Sequence, residues 1–461
     1  EVNPSHNPEM PAVLVEVAYH DTAEDADALR DPSWRRLTSR AIAQGIARYF
    51  AAQDGVPVVL PPEPPTAIVL GNDDAGGLTV RWRAPEATPG AGDPPTGYFV
   101  QRSTNGLGFD DGEYVTDTSF ALTDLAPGDL RYVRIVSAND GGRSLPSHVV
   151  GARVAESGQA SVLVVGGFDR LDAGLLLDLD MSAFALGTVQ RMFLHRMNDF
   201  TYAARHGDAI ADAGFSFDGA TDDAIELAEH SLTGYQAVDW FTGEDSLGDE
   251  PLSALARDAI VDYLDGGGRL LVSGSELAWT LDAFGMGDEP TFFNDRLHAA
   301  YVADDAETYD VDAGLGPLAA VPALSFADPT AYDPRHPDVL EAQSGGSVVL
   351  EYAGGVGAGV AWGEGSPDER GVVLGFPFET VADAGQRAAL MAAVLAFFEV
   401  EEADGDGTGG TGGSEGGATE GAESTDGEGT RGGDTTSADA GDTGDTEPGA
   451  DGGGDGCGCV S

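Results

Sequence analysis

The chain is organised around one stretch near its start, Met10-Pro11-Ala12-Val13-Leu14-Val15-Glu16-Val17-Ala18-Tyr19-His20-Asp21. The apolar run from Ala12 to Val15 predicts a short strand with both faces covered. Glu16 would then stand at the carboxyl end of that strand, where α/β proteins place their active sites. A helix is predicted from about Asp31, with Asp31 as its cap and Pro32 in its first turn. Its apolar positions recur at helical spacing: Leu37, Ile42, Ile46, Tyr49 and Phe50.

This arrangement resembles the C-terminal part of zinc-dependent N-acetylmuramoyl-L-alanine amidases. The matching features are the strand ending in Glu16, the pair Ala18-Tyr19, the acidic turn and a helix that ends Ala43-Gln44-Gly45-Ile46-Ala47-Arg48-Tyr49-Phe50. Those enzymes cut the amide bond between the glycan and the stem peptide of peptidoglycan. The resemblance implies that residues 1–53 are the C-terminal part of an amidase domain. It also implies that Glu16 is the catalytic carboxylate beside a zinc-bound water.

In this family the zinc ligands, two histidines and a glutamate, precede the strand. The resemblance therefore implies a zinc cofactor whose ligands lie upstream of Glu1, so no metal ligand is predicted within the chain. His6 and His20 could bind zinc, but no third ligand has a recognisable spacing, and both are interpreted as solvated turn residues. The alternative for Glu16 is a structural carboxylate paired with an arginine. Residues 1–53 are not expected to pack into a stable domain without further strands.

The composition restricts the class of partner. The formal net charge is −56, the isoelectric point is about 4.1 and every basic residue is arginine. Nucleic acid is therefore excluded as a partner, because phosphates require a basic surface. Such a surface suits high salt or an exposed extracellular setting, where acidic side chains favour solubility. Cys457 and Cys459 cannot supply a disulfide framework for the domains, and no apolar run reaches membrane-spanning length.

A proline-rich linker over 54–63 precedes a run of short alternating strands, predicted at 78–82, 97–102, 119–125, 131–138 and 148–154. Residues 64–155 resemble a fibronectin type III domain through Trp82, the sequence Leu125-Ala126-Pro127-Gly128 before Tyr132, and Ser137-Ala138-Asn139-Asp140-Gly141-Gly142. The resemblance implies an all-β sandwich with Trp82 and Tyr132 in its core, Tyr132 near the corner that holds the two sheets together. The implied role is a spacer or a glycan- or protein-contacting module.

Residues 159–400 alternate strands and helices, which indicates a mostly parallel sheet. The domain resembles the Rossmann-like class I glutamine-amidotransferase fold in its broad, non-enzymatic sense, through Asp239-Trp240-Phe241-Thr242-Gly243-Glu244, the sequence Gly267 to Glu276, and Leu374-Gly375-Phe376-Pro377-Phe378-Glu379. Because the domain contains no cysteine, glutaminase chemistry is excluded. Ser273 or Ser275 could act as a nucleophile instead, although the G-x-S-x-G pattern is not met. The alternative is that Ser275 caps the following helix.

The carboxyl ends of the strands in such a sheet define the candidate ligand site. The residues predicted there form an acidic, partly aromatic rim suited to a sugar, a cation or a basic peptide: Phe168, Asp169, Glu244, Asp245, Ser275, Glu276 and Glu379. The alternative is that these loop carboxylates are only solvated.

The segment 401–461 is rich in Gly, Thr, Asp and Glu, and we expect it to be disordered. Its end, Cys457-Gly458-Cys459, resembles the tails of bacterial surface proteins that are cut or anchored there; the alternative is a plain terminus. The sequence therefore predicts a multidomain, secreted or cell-surface bacterial protein. The first hypothesis is a peptidoglycan hydrolase that cleaves the N-acetylmuramoyl-L-alanine bond. The alternative is a non-catalytic adhesion or ligand-binding protein that contacts other envelope glycans or proteins.

Overall fold

The computed structural model describes residues 13–73, 75–86, 90–365 and 369–402. Three predictions lie wholly or partly outside the described residues: His6, the beginning of the predicted strand at Met10–Ala12, and the tail from residue 403 with Cys457 and Cys459. Two helices open the described part, α1 (Ala23–Arg30) and α2 (Pro32–Asp54). The predicted cap of α2 is confirmed, because the Asp31 side chain accepts hydrogen bonds from the backbone N–H groups of Ser33 (2.7 Å) and Trp34 (3.1 Å).

The strand predicted before these helices is not formed. Residues 13–18 are irregular, and the side chains of Val13, Leu14 and Val15 are 75%, 69% and 48% exposed. The prediction was wrong for a physical reason. A strand requires neighbouring strands to satisfy its N–H and C=O groups, and no described strand pairs with this segment. Glu16 is therefore an exposed side chain, not a buried carboxylate at a strand end.

A fibronectin type III sandwich follows. One sheet contains β1 (Thr66–Asn72), β2 (Leu78–Arg83) and β5 (Ser119–Leu122). The other contains β3 (Gly97–Ser103), β4 (Glu113–Val115), β6 (Leu130–Asn139), β7 (Gly142–Arg143) and β8 (Val150–Arg153). The strands predicted from alternation are confirmed, and Trp82 lies in the sandwich core as expected. The linker before the sandwich is docked, because Leu60 is buried and its carbonyl accepts from the Asn139 side chain (2.9 Å).

The sheet predicted for residues 159–400 contains a parallel part, but antiparallel strands make up the rest of it, so the prediction of a mostly parallel sheet holds only for one half. Its parallel strands stand in the order β12 (Phe217–Thr221), β9 (Val162–Gly166), β13 (Ala237–Gly243), β14 (Arg269–Gly274) and β21 (Arg370–Leu374). Numbered along the chain, this is the order 2-1-3-4-5 of doubly wound sheets. Two apolar layers cover its faces. One includes α3 (Ala203–Asp212) and α7 (Ala384–Phe397), the other α4 (Asp222–Glu226) and α5 (Ala254–Asp265).

An antiparallel extension continues the sheet beyond β21. Its strands are β15 (Ala299–Ala303), β16 (Asp310–Val311), β17 (Leu324–Ser325), β18 (Val339–Ala342), β19 (Gly346–Tyr352) and β20 (Val356–Trp362). A separate hairpin is formed by β10 (Leu177–Asp180) and β11 (Thr188–Arg191), and α6 (Glu289–Thr291) is a single turn. Among the described residues, no helix combines the length and the apolar composition needed to cross a membrane.

Strand β12 joins the sandwich to the α/β domain. One edge of β12 pairs with β9, and its other edge pairs with β8 at Phe217 and with β1 at Gly219 and Ala220. Tyr132 strengthens this junction instead of the predicted corner within the sandwich. Its hydroxyl lies 2.7 Å from an Asp208 carboxylate oxygen and 3.0 Å from the Ala204 carbonyl oxygen, both on α3. The two domains therefore share a sheet and an apolar core.

Candidate functional site

The strand order reverses between β9 and β13, the position at which open α/β sheets form a crevice. Asp245, after β13, ties the two strand ends together. Its carboxylate accepts hydrogen bonds from the backbone N–H groups of Asp169 (3.1 Å) and Arg170 (2.9 Å). Burial raises the pKa of Asp245 well above its usual value, although these two hydrogen bonds oppose the shift. Asp245 was predicted to bind a ligand, but in the structure its carboxylate oxygens accept hydrogen bonds from backbone N–H groups.

Glu244 lies beside Asp245 and is almost fully buried, with 3% of its surface exposed. Its backbone carbonyl accepts from the Arg170 guanidinium at 2.9 Å, whereas its side-chain Oε2 has no hydrogen-bond partner. Burial raises the pKa of Glu244 well above its usual value, against the opposing charges of Arg170 and Arg335. A buried carboxylate oxygen without a hydrogen-bond partner is costly, so a hydrogen-bond donor or a cation would be stabilising at this position.

Asp169 lines a cavity of about 600 Å³ that opens between the domains. The walls are helix α2 at Arg36, strand β1, the segment 145–148 and the ends of β9 and β12. The Asp169 side chain is 53% exposed, and one of its carboxylate oxygens lies 3.6 Å from the Nδ1 atom of His148. Large cavities at domain interfaces and at the switch point of a sheet are common ligand sites.

The cavity is electrostatically negative. Although just over half of the Asp169 side chain is exposed to the cavity, the protein around it desolvates the carboxylate and raises its pKa; His148 opposes this shift and Asp223 adds to it. Burial raises the pKa of Asp222 well above its usual value, and Asp169 and Asp223 raise it further. Asp223 itself is held by β1, because it accepts from the Ala67 N–H at 2.8 Å. A cationic ligand would relieve the repulsion among these carboxylates.

Glu379 lies outside this cavity, in a buried network that the sequence did not reveal. His206 on α3 lies between two carboxylates, with Nδ1 at 2.8 Å from Asp239 and Nε2 at 3.3 Å from Glu379. The Tyr332 hydroxyl donates to the second Glu379 oxygen at 2.7 Å. Burial alone would lower the pKa of His206, but Asp239 and then Glu379 raise it to about 9. The network is fully enclosed, so Glu379 stabilises the core rather than a ligand rim.

Ser273 and Ser275 were candidate nucleophiles, and Ser275 was also the candidate helix cap; their surroundings in the structure favour neither role. Ser273 and Ser275 are fully buried, and neither hydroxyl has a hydrogen-bond partner. A serine nucleophile needs an adjacent base, so the geometry does not support hydrolase chemistry here. The helical turn after β14 is capped by Asp338, which accepts from the N–H groups of Ala278 (2.6 Å) and Trp279 (3.2 Å). Ser275 as a helix cap was therefore wrong, because a stronger acceptor from a distant loop occupies that position.

Glu276 is the predicted site residue that lies near a hydroxyl, a second carboxylate and an imidazole. It accepts a hydrogen bond from the Ser246 hydroxyl at 2.8 Å and approaches Asp304 and His336. Burial raises its pKa, and Asp304 raises it further, whereas His336 and Arg170 lower it. Asp304 and His336 were not predicted, because both lie far from Glu276 along the chain and no sequence motif links the three residues.

Glu16, the predicted catalytic residue, does not belong to any group of possible metal ligands among the described residues. A search of those residues for grouped histidine, cysteine and carboxylate ligands finds the set around Glu276, and it does not include Glu16 or His20. Among residues 13–73 and the other described segments, the side chains around Glu16 therefore do not form a set of zinc ligands. His20 lies in an exposed turn, as predicted.

The sequence matches no protein-family model, and it matches no curated protein. Similar solved structures cover about a fifth of the chain. They include a crystal structure of titin domains (19% identity, 20% of this chain and 32% of that chain, TM-score 0.19). A human fibronectin type III domain containing protein 3 has a domain that is 25% identical (20% and 86% covered, TM-score 0.18). A fibronectin type III-like protein from Clostridium thermocellum is 26% identical (19% and 88% covered, TM-score 0.16).

This chain thus spans about a third of the titin structure. At these TM-scores the similarities carry no argument, and the assignment of the sandwich depends on the pairing of its own strands.

Proposed function

We propose that this chain is part of a secreted or surface-located bacterial peptidoglycan hydrolase that cleaves the N-acetylmuramoyl-L-alanine bond. Residues 1–53 would be the C-terminal part of its amidase domain. The supporting observation is the uncovered apolar surface of this segment. Five apolar side chains are exposed: Val13, Leu14 and, on α2, Leu37, Ile46 and Phe50. Their spacing is that of a strand and of a helix that packs against a sheet, so this surface is suited to cover by another part of a domain.

Glu16 would exchange a proton during cleavage, accepting it from the attacking water and giving it to the departing amine. The zinc that polarises water in the resembling enzymes would be held by residues outside the described part of this chain. The described residues supply only the carboxylate, on a segment that is exposed to solvent.

The experiment compares this chain with a version extended upstream in its natural sequence, using release of stem peptides from purified peptidoglycan. We expect release by the extended chain, and a loss of at least about 100-fold when Glu16→Gln removes the proton-transfer group. Glu24→Gln, on the exposed first turn of α1, is the matched control and should retain full activity. Equal activity of the Glu16→Gln and Glu24→Gln variants would overturn the role of Glu16.

A second candidate function is non-catalytic ligand binding by the α/β domain, at a cell surface. The negative cavity at Asp169 and Asp222 favours ligands with an ammonium or guanidinium group. We infer an amidotransferase-like fold without its chemistry. The parallel order 2-1-3-4-5 supports this inference, and serine residues stand where the enzymes have cysteine.

Calorimetric titration with a short lysine-containing peptide tests this binding. Asp222→Asn should weaken it about tenfold, because a partly buried opposite charge is removed. Asp258→Asn, on the exposed face of α5, should leave it unchanged. Binding that is equally weak in wild type and in the Asp222→Asn variant would exclude the cavity as the site.

A further inference from the structure

Three potential metal ligands from distant parts of the chain meet at the carboxyl edge of the sheet. Glu276 follows β14, Asp304 follows β15, and His336 lies in the loop before β18. One oxygen from each carboxylate and one ring nitrogen of His336 all lie within 4.8 Å of one another. His336 Nδ1 is 3.3 Å from Asp304 Oδ2. These side chains could converge on one ion with small rotamer changes.

The backbone holds the three ligands in place. Asp338, which follows His336 closely in the chain, caps the turn that begins just after Glu276. The Ala306 N–H donates to the Pro337 carbonyl at 3.1 Å, which ties the segment after β15 to the His336 loop. The Ser246 hydroxyl fixes one oxygen of Glu276. A site whose ligands are held in this way loses little entropy when it binds an ion.

Glu244 gives an independent sign of a ligand. Only 3% of its surface is exposed, its Oε2 atom has no hydrogen-bond partner, and it lies within electrostatic range of Glu276. Arg170 and Arg335 act on it through space, but neither forms an ion pair with it within the described structure. A buried carboxylate oxygen without a hydrogen-bond donor is costly, and a cation held near Glu276 would stabilise the ionised form of Glu244.

We propose that Glu276, Asp304 and His336 bind a divalent transition-metal ion, Zn²⁺ or Mn²⁺, and that Glu244, which interacts electrostatically with Glu276, favours binding of the ion. The proposal concerns the α/β domain and does not depend on amidase activity.

The donor set determines the class of metal. An imidazole with carboxylates suits Zn²⁺ and Mn²⁺, whereas Ca²⁺ prefers six to eight oxygen ligands. Three protein ligands leave a coordination position open for water or a ligand. Access is available, because His336 and Asp304 are 49% and 39% exposed and His336 lines a cavity of about 390 Å³ with Arg335 and Tyr309.

The test is metal binding by the whole chain after removal of metals with a chelator. Equilibrium dialysis with Mn²⁺, in millimolar Ca²⁺ to occupy weak oxygen-only sites on the acidic surface, should show one tight site that Zn²⁺ displaces. His336→Ala and Glu276→Gln should each weaken binding at least about tenfold, and Glu244→Gln about tenfold or less. Mn²⁺ should also raise the melting temperature of the wild type but not of His336→Ala.

Matched controls are His195→Ala and Glu341→Gln, which change exposed residues that do not belong to the cluster. Both should bind Mn²⁺ as the wild type does. The proposal is overturned if the wild type shows no Mn²⁺ binding above the Ca²⁺ background. It is also overturned if the control variants lose as much affinity as His336→Ala, since binding would then be distributed over the acidic surface.

Discussion

Two apolar runs in this chain have similar composition, but only one of them forms a buried strand. Val13, Leu14 and Val15 lie in an irregular, exposed segment, whereas Val162 to Val165 form the buried strand β9, with exposures of 2% or less. The difference is in their neighbours. Strand β9 is paired on one side by β12 and on the other by β13, and apolar layers cover both faces.

An apolar run therefore makes a strand only where other strands satisfy its backbone N–H and C=O groups. The helices repeat the contrast. In α7, Leu390, Met391 and Val394 are buried, whereas the one buried residue that α2 shows is Pro32 at its start. Helix α2 is nevertheless formed, because its cap, its first-turn proline and the C-terminal Gly55 at φ 68° stabilise it locally.

The largest expected effect comes from placing a charge in each run. Val164→Asp buries a carboxylate without a partner in the centre of the sheet, and we expect it to lower the free energy of unfolding by about 4 kcal/mol or more. Val15→Asp should change it by less than about 0.5 kcal/mol, because the site is exposed. Urea unfolding followed by circular dichroism measures both. Similar losses in the two variants would show that residues 13–15 are covered in solution.

A pH-dependent effect follows from His206 in the α/β core. Its folded-state pKa of about 9 lies above the unfolded value of ~6.5, so its stabilising contribution is complete below pH ~6.5 and is lost as the pH rises through about 9. The expected contribution is about 3 kcal/mol. Denaturant unfolding between these pH values should show this loss in the wild type. His206→Gln should be less stable at pH 6.5 and should have a flatter pH profile; an unchanged slope would contradict the buried imidazolium.

A smaller effect is expected at the junction of the domains. Tyr132→Phe removes the hydroxyl that bonds to Asp208 and should lower the free energy of unfolding by about 1–2 kcal/mol. Tyr114→Phe is the control, because the Tyr114 hydroxyl is exposed and lies 3.4 Å from its acceptor. Thermal unfolding of both variants measures the difference. Equal losses would show that the Tyr132 hydroxyl does not couple the sandwich to the α/β domain.

Local signals predicted much of the fold. Alternating residues located β2, β3 and β6, and the Asp31-Pro32 pair located the start of α2. Hydrogen-bond partners that are distant along the chain could not be predicted from such local patterns. Nothing in the residues around Tyr132 indicates that its hydroxyl reaches α3, and nothing near Ser275 indicates that Asp338 caps the turn.

The candidate site was predicted in part, by topology. The rule for strand ends correctly placed Asp169, Glu244, Asp245 and Glu276 along one edge. This rule could not distinguish Asp245, whose carboxylate accepts backbone hydrogen bonds, from Glu244, whose Oε2 atom has no hydrogen-bond partner. His336 and Asp304 enter through an antiparallel insertion whose path is set by tertiary packing.

The smallest effect is expected on the exposed face of α2. Ile46→Ala should change the free energy of unfolding by less than about 0.5 kcal/mol, and could raise it slightly because alanine is the better helix former. Leu390→Ala in α7 should cost about 2–5 kcal/mol, because that side chain is fully buried. Chemical unfolding at several protein concentrations compares the two. A loss above about 1 kcal/mol for Ile46→Ala that grows with concentration would mean that a second copy covers this face, whereas a concentration-independent loss would mean that the chain covers it itself.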